Sequence, residues 1–151
     1  MKLETVARLL VSLSVCVLAG AAPATAETFQ GRDFVVYFDS RGEAVEGEAI
    51  VRAAANWHEA ACGRESLNLL AATDTVGSAS DNRRRSRRYA DAVVRLLKGY
   101  GVDPALISVD IAGEEQQAVA TADEIDEPLN RRVVISYGDG HPSHACMGIV
   151  D

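Results

Sequence analysis

The pattern of apolar and polar positions predicts four strands. Residues 34–38 form a β-branched and aromatic run that ends at a polar turn, which is typical of a strand buried on both faces. Residues 67–72 form a second apolar run, bounded by polar residues. Residues 107–111 alternate apolar and polar positions, which predicts a strand with one wet face, and residues 133–137 form the last strand.

A first helix is predicted over residues 47–61, with Gly63 as its C-terminal stop. Its apolar positions recur at steps of four, three and four, which indicates one buried stripe on the helix. The stripe consists of Ile50, Ala54, Trp57 and Ala61. His58 follows Trp57 and should therefore lie on the outer flank, at the surface.

A second helix follows, and Gly99 and Gly101 should stop it. Its start can be capped by Ser80, Asp81 or Asn82. Its apolar positions at helical spacing are Tyr89, Val93, Leu96, Leu97 and Tyr100. Strands that alternate with helices predict an α/β sandwich, in which two helices cover one face of a small sheet.

The N-terminal segment has the organisation of a secretory signal peptide. Lys2 and Arg8 form a positive start, residues 9–22 are nearly uncharged and apolar, and Ala24 and Ala26 fit a small-x-small cleavage site. We therefore expect a signal peptide over residues 1–26, one domain over residues 27–138, and a C-terminal tail over residues 139–151.

Composition narrows the function classes. The 151 residues are 48% hydrophobic and carry a formal net charge of -7, so no global field would attract nucleic acid. The chain contains no Gly-x-Ser-x-Gly turn, no His-Glu-x-x-His pair and no Gly-rich phosphate loop. We therefore predict a protein that is not an enzyme and needs no cofactor.

Cysteine content points to a disulfide. Cleavage would remove Cys16 and leave Cys62 and Cys146 as a pair in an oxidising compartment. A disulfide between them is expected, with two separate thiols as the alternative. His141 and His144 precede Cys146 in the tail, but this spacing is a weak metal signal, and no metal site is predicted.

The first turns of the second helix are strongly basic. Five arginines fall within six residues there: Arg83, Arg84, Arg85, Arg87 and Arg88. Cations are unfavourable at the positive end of the helix dipole, so something should compensate for them. One interpretation is a solvated face paired with acidic side chains. The other is a site in which arginines and free helix amides bind a carboxylate or phosphate.

Taken in order, several short motifs resemble the OmpA-like C-terminal domain, a peptidoglycan-binding module, over about residues 34–137. The matching pieces are Tyr37-Phe38-Asp39, Thr73-Asp74 with Gly77-Ser78, Asn82, Ser86 and Ala90, Gly99 to Val102, Gly113-Glu114, and Asn130-Arg131-Arg132-Val133. The resemblance implies a βαβαββ fold with a small mixed sheet. It also implies noncovalent docking on the diaminopimelate of the cell-wall stem peptide, without catalysis.

A diaminopimelate receptor needs a carboxylate for the ammonium and a fixed cation for the carboxylate. Asp74 matches the family's ammonium-binding Asp. At the position of the family's Arg, fifteen residues further on, this chain has Tyr89. Arg85 lies one helical turn before Tyr89 and is the first candidate to replace that cation. Arg88 is adjacent to Tyr89 but rotated around the helix, which makes it a poorer substitute.

Two other interpretations of Tyr89 stay open: its ring and hydroxyl shift the specificity, or it only extends the apolar stripe and the pocket has lost its ligand. Asp39 is a possible contact at the rim of the pocket or a residue that starts a turn. Asn130 is a weaker candidate for the site, since Arg131 and Arg132 beside it are better explained by structural ion pairs.

The sequence as a whole predicts a periplasmic protein, associated with the outer membrane or cell wall, that binds the stem peptide of peptidoglycan. The alternative is an adaptor with a degenerate pocket, which binds an outer-membrane or other envelope protein through its arginine-rich helix.

Overall fold

The computed structural model describes residues 33–137, which form a five-stranded mixed sheet. The strands are β1 (Asp33–Phe38), β2 (Ala44–Val45), β3 (Leu67–Ala72), β4 (Ile107–Gly113) and β5 (Arg132–Tyr137). Their order across the sheet is β2-β1-β5-β3-β4. β3 and β4 are parallel, and the remaining pairs are antiparallel. β5, the last strand in the sequence, therefore lies at the centre of the sheet, between β1 and β3.

Two helices pack on one face of this sheet, α1 (Gly47–Ala60) and α2 (Ala79–Gly99), and short 3-10 turns precede β4 and β5. The core lies between the helices and the sheet. It includes Val36 from β1, Leu69 from β3, Ile135 from β5, Val51 from α1 and Leu97 from α2. The predicted fold class, with two helices over a small mixed sheet, is confirmed, and β2 is a short addition to the four predicted strands.

The prediction that the first strand is buried on both faces is wrong. In β1, Val36 and Phe38 are buried, but Tyr37 between them is 37% exposed. The helices cover only one face of the sheet, so side chains on the other face keep contact with solvent.

The surface position predicted for His58 is also wrong, because His58 is only 4% exposed. The buried face of α1 is rotated from the predicted stripe and includes Val51, Ala55 and His58. The His58 ring lies over the ring of Tyr137, with centroids 6.4 Å apart. Trp57 is partly buried and contacts the same tyrosine.

The N-cap of α2 is Ser78, not one of the three residues proposed from the sequence. Its hydroxyl accepts a hydrogen bond from the Asp81 amide at 3.2 Å, which satisfies one free N–H of the first turn. The helix ends at Gly99, as predicted. Residues 1–26, Cys146 and the tail over 139–151 lie outside the described residues, so the signal peptide, the domain limits and the disulfide stay predictions.

Candidate functional site

Asp74 lies two residues after the end of β3, in the segment that leads to α2. Its side chain is only 3% exposed, and both carboxylate oxygens are bonded to guanidinium groups. Arg131 Nη1 is 2.7 Å from Oδ2, and Arg85 Nη1 is 3.1 Å from Oδ1. A buried carboxylate needs such partners, because an unpaired charge away from water is strongly unfavourable.

Arg85 is the more exposed of these two arginines, with 24% of its side chain accessible. Its Nη2 donates to the Val76 carbonyl at 2.6 Å and to Asn82 Oδ1 at 2.7 Å. Gly77 adopts a φ of +91°, and a Cβ there would approach Arg85 Nη2 to 3.4 Å. The turn between β3 and α2 therefore holds the guanidinium against Asp74, as expected of a cation one helical turn before Tyr89.

Arg131 is buried, and it is a site residue that the sequence analysis does not predict. Besides Asp74 it contacts Asp126, and its Nε donates to the Phe38 carbonyl at 3.1 Å. Burial disfavours its charge, but hydrogen bonds to Asp74 and Asp126 outweigh that cost and raise the pKa of Arg131. The structural ion pairs expected for Arg131 are thus formed, and one of them is with Asp74 at the centre of the site. The sequence signal for a site role of Arg131 was its place in the Asn-Arg-Arg segment of the family motif.

Tyr89 is buried and stacks on Phe38, with ring centroids 4.1 Å apart and planes within 10° of parallel. Burial raises the pKa of Tyr89, and the charge of Arg85 acts against that rise. The ring of Tyr89 therefore belongs to the core, and a role of its hydroxyl in ligand specificity stays a prediction.

The other proposed site residues lie in different surroundings. Asp39 Oδ1 accepts from the amides of Arg41 and Glu43 at 2.9 and 2.8 Å, so its carboxylate closes the turn after β1. These backbone hydrogen bonds, that from Glu43 above all, lower the pKa of Asp39. Arg88 is exposed, and it makes no ion pair or hydrogen bond with the described residues.

Asn130 is fully buried and organises the acidic loop between β4 and β5. Its Oδ1 accepts from the amides of Ala118 and Val119 at 2.8 and 2.9 Å. Its Nδ2 donates to the Val119 carbonyl at 2.8 Å. These three bonds use the side chain for the loop, so the structure does not bring the Asn130 side chain to Asp74.

The acidic loop is fastened directly beside Asp74. Thr75 Oγ1 donates to the Ala122 carbonyl at 2.7 Å and accepts from the Ile125 amide at 3.0 Å. The Gly77 amide donates to Glu124 Oε2 at 3.1 Å. Sequence position gave no signal for these contacts, which join segments about fifty residues apart. They make the acidic loop one wall of the site.

The site joins a carboxylate to two guanidinium groups, an arrangement suited to binding a charged head group. Within residues 33–137 no cluster of three or more His, Cys, Asp or Glu side chains could hold a metal ion. Over the same residues, no helix is long and apolar enough to cross a membrane. A cavity of about 410 Å³ lies at the opposite end of β3, lined by residues that include His58, Tyr100 and Val102.

Comparison with known proteins extends this description. No protein-family model matches the chain. The chain is 40% identical over 65 residues to the Peptidoglycan-associated lipoprotein of Haemophilus influenzae, a match that covers 43% of this chain and 42% of that relative. The chain thus spans less than half the length of this curated relative.

Solved structures show the same fold. The peptidoglycan-associated lipoprotein from Burkholderia pseudomallei has a TM-score of 0.61 and 25% identity, with 68% of this chain and 88% of that chain covered. The OmpA-like domain of FopA1 from Francisella tularensis has a TM-score of 0.58 and 17% identity, covering 72% and 75%. The periplasmic domain of Helicobacter pylori MotB has a TM-score of 0.55 and 18% identity, covering 67% and 69%. These likenesses confirm the predicted OmpA-like domain.

Proposed function

We propose that this chain, which contains an OmpA-like domain, works in the periplasm and binds peptidoglycan noncovalently through the site around Asp74. The observation that carries the proposal is the pair formed by Asp74 and Arg85, whose charged atoms are 3.1 Å apart. A diaminopimelate head group presents an ammonium and a carboxylate on one carbon, and this pair offers the opposite charge to each. The Haemophilus and Burkholderia relatives are both named as peptidoglycan-associated lipoproteins, which supports peptidoglycan as the ligand.

The two oxygens of Asp74 have different roles in this proposal. Oδ2 is held by Arg131, whose side chain is 7% exposed, so that contact fixes the carboxylate in place. Oδ1 is held by Arg85, which is partly exposed and can exchange partners. A ligand ammonium would take the place of Arg85 at Oδ1, and the freed guanidinium would then bind the ligand carboxylate in a bidentate manner.

A binding assay with purified sacculi tests the proposal. The wild-type protein should sediment with sacculi, and Arg85→Gln should remain mostly in the supernatant, because glutamine is polar but shorter and carries no charge. A loss of one charge-assisted contact corresponds to a decrease in affinity of about tenfold or more. Asp74→Asn should have a similar effect, with folding checked by circular dichroism because Asp74 is buried.

Arg84→Gln is the matched control. Arg84 precedes Arg85 in the same helical turn, but its guanidinium pairs with Asp81 at the surface. The variant should therefore bind sacculi like the wild type. If the wild-type protein stays in the supernatant, or if Arg84→Gln and Arg85→Gln lose binding equally, the Asp74 site does not bind peptidoglycan.

An envelope adaptor with an occluded pocket is the second candidate, and the low exposure of Asp74 favours it. In that case the exposed arginines of α2 would bind an envelope protein, and sacculi would not be retained. The sedimentation assay therefore separates the two candidates. A protein without catalytic activity is proposed in both, so muropeptide chromatograms should be unchanged after incubation with the protein.

A further inference from the structure

We propose that the cavity at the opposite end of β3 from Asp74 binds a primary alkylammonium group. The cavity has a volume of about 410 Å³ and lies where the two helices end, before β3 and β4 begin. Its walls include Ala55, His58, Glu59, Tyr100, Val102 and Asp103. None of these residues belongs to the site around Asp74, so the proposal does not depend on peptidoglycan binding.

The electrostatic environment of the cavity favours a cation. α1 ends at Ala60 and α2 ends at Gly99, and the chain that follows each helix lines the cavity. The C-terminal end of a helix carries a partial negative charge of about half an elementary charge, and two such ends meet here. Glu59 and Asp103 add two carboxylates, and neither forms an ion pair within residues 33–137.

The basic side chains of the neighbouring segments do not line the cavity. Arg52 is on α1, Arg64 follows α1, and Lys98 is in the last turn of α2; all three are exposed and absent from the walls. Glu48 is also exposed, and it accepts a hydrogen bond from the Tyr100 hydroxyl at 3.2 Å. Among the described residues, the walls therefore contain two acidic side chains and no lysine or arginine.

His58 supplies a polar group to this wall. It is only 4% exposed, its side chain makes no hydrogen bond with the described residues, and its Nδ1 is buried. Buried polar side chains are nearly always hydrogen-bonded, so packing alone does not account for a histidine here. Nε2 lies 3.8 Å from a Cβ built on Gly63, which also lines the cavity. In a neutral imidazole with the proton on Nδ1, Nε2 accepts a hydrogen bond, and an ammonium donates one.

The remaining walls suit the apolar part of an amine. Ala55 and Val102 are 5% and 3% exposed, and they supply apolar surface from α1 and from the segment after α2. The Tyr100 ring adds an aromatic face, which attracts an ammonium group. A short alkylammonium would direct its charge toward the carboxylates and its chain toward these apolar side chains.

Two-dimensional amide NMR spectra of the purified protein, recorded during a titration with n-butylammonium, test the proposal. The amide signals of His58, Gly63, Gly101 and Asp103 should shift and saturate, with a Kd of millimolar order, and the signal of Asp74 should stay in place. Butanol has a similar chain without the charge, and butyrate has the opposite charge. Both should bind at least about tenfold more weakly than butylammonium.

A second ligand separates two sources of the ammonium. Nα-acetyl-lysine methylamide carries the same group on a peptide backbone. Tighter binding of this compound than of butylammonium identifies a lysine side chain of a partner protein as the source. Weaker binding identifies a free amine, and either result agrees with a site for a primary ammonium.

Two variants and a matched control locate the site. Asp103 Oδ1 accepts from the Ala105 amide at 2.9 Å, and Asp103→Asn removes the charge but keeps an oxygen for that bond. We expect Asp103→Asn and Glu59→Gln each to weaken butylammonium binding about threefold, as loss of an exposed charge pair does. Asp91→Asn removes an exposed carboxylate of α2 that does not line the cavity, and it should bind like the wild type.

Three results would overturn the proposal. The first is the absence of shifts at the cavity residues, which a cavity filled by the tail over residues 139–151 would also produce. The second is equal binding of butanol and butylammonium, because the charge would then have no role. The third is an equal loss in Asp91→Asn and Asp103→Asn, which indicates a general attraction of cations to an acidic protein. The sacculus assay is independent of all three, so the proposed function would stand.

Discussion

Replacing Arg131 with methionine should destabilise the protein strongly, because Arg131 links three parts of the fold. Its guanidinium contacts Asp74 after β3, Asp126 in the acidic loop, and the carbonyl of Phe38 in β1. Methionine fills a similar volume but can form none of these bonds. The carboxylate of Asp74, 3% exposed, would keep only Arg85 as a partner.

The expected loss of unfolding free energy in Arg131→Met follows from the burial of its ion pair with Asp74. Removing one partner of a buried ion pair costs about 3 to 5 kcal/mol, since the other charge stays in a poorly solvated place. Arg85 still contacts Asp74 Oδ1 and should reduce the loss, so we expect a decrease of about 3 kcal/mol in the free energy of unfolding. Arg83→Met is the control, because the pair between Arg83 and Glu115 is more than half exposed on both sides. The free energy of unfolding of Arg83→Met should fall by about 1 kcal/mol or less.

Urea unfolding monitored by circular dichroism measures both variants. With a denaturant slope of about 1 to 3 kcal/mol/M, the midpoint should fall by roughly 1 to 3 M in Arg131→Met. The slope itself should stay constant, because the same surface is exposed on unfolding. If Arg131→Met and Arg83→Met shift the urea midpoint equally, the buried contacts of Arg131 do not stabilise the fold more than a surface ion pair does.

Two further predictions concern Tyr89 and Asp39. Tyr89→Ala should cost about 3 to 5 kcal/mol of stability through loss of the stack on Phe38. Tyr89→Phe keeps the ring and should cost less than about 1.5 kcal/mol in the same urea assay, and equal losses would contradict a packing role. Asp39 has a lowered pKa, so its stabilising contribution is present above its ordinary value of 3.8 and is lost as the pH falls through the lowered value. The stability difference between the wild type and Asp39→Asn should therefore shrink in acid, and a difference that is constant with pH would contradict this.

Local patterns were sufficient for most elements of the fold. β3 was predicted with its observed limits, Leu67–Ala72, because a short apolar run between polar segments is specific enough. The end of α2 was predicted from its glycines. These signals depend on neighbours in the sequence, which are also neighbours in space.

Errors arose where burial depends on distant elements. His58 is polar and adjacent to Trp57, so helical spacing placed it outside, but Tyr137 from β5 covers it. β1 is rich in β-branched and aromatic residues, yet among residues 33–137 no helix covers the sheet face that carries Tyr37. In both cases the deciding contact involves a segment far along the chain, which periodicity cannot report.

The site shows the same division between local and distant contacts. Arg85 and Asp74 are eleven residues apart, and Arg85 could be proposed beside Asp74 because the family motif marks Asp74 and position 89, and Arg85 lies one helical turn before Tyr89. Arg131 reaches Asp74 across fifty-seven residues, through the pairing of β5 with β3. Only the family motif hinted at that contact, and ion pairing with an unspecified acidic residue was all that the composition could predict.

Tyr89, at the position where the resemblance implies an arginine, is one of several features that fit together in the structure. The phenol ring packs on the apolar surface that Phe38 supplies. Gly42, in the turn after β1, lies beside the ring: a Cβ there would be in ordinary contact with the Tyr89 ring at 3.4 Å, but the φ of +85° disfavours other residues. With an aromatic ring at position 89, the cations beside Asp74 come from other positions: Arg131, and Arg85 one turn earlier in α2, which is held there by Val76 and Asn82. Restoring arginine at position 89 alone would thus bury a third charge beside Arg85 and Arg131, and would remove the stack on Phe38.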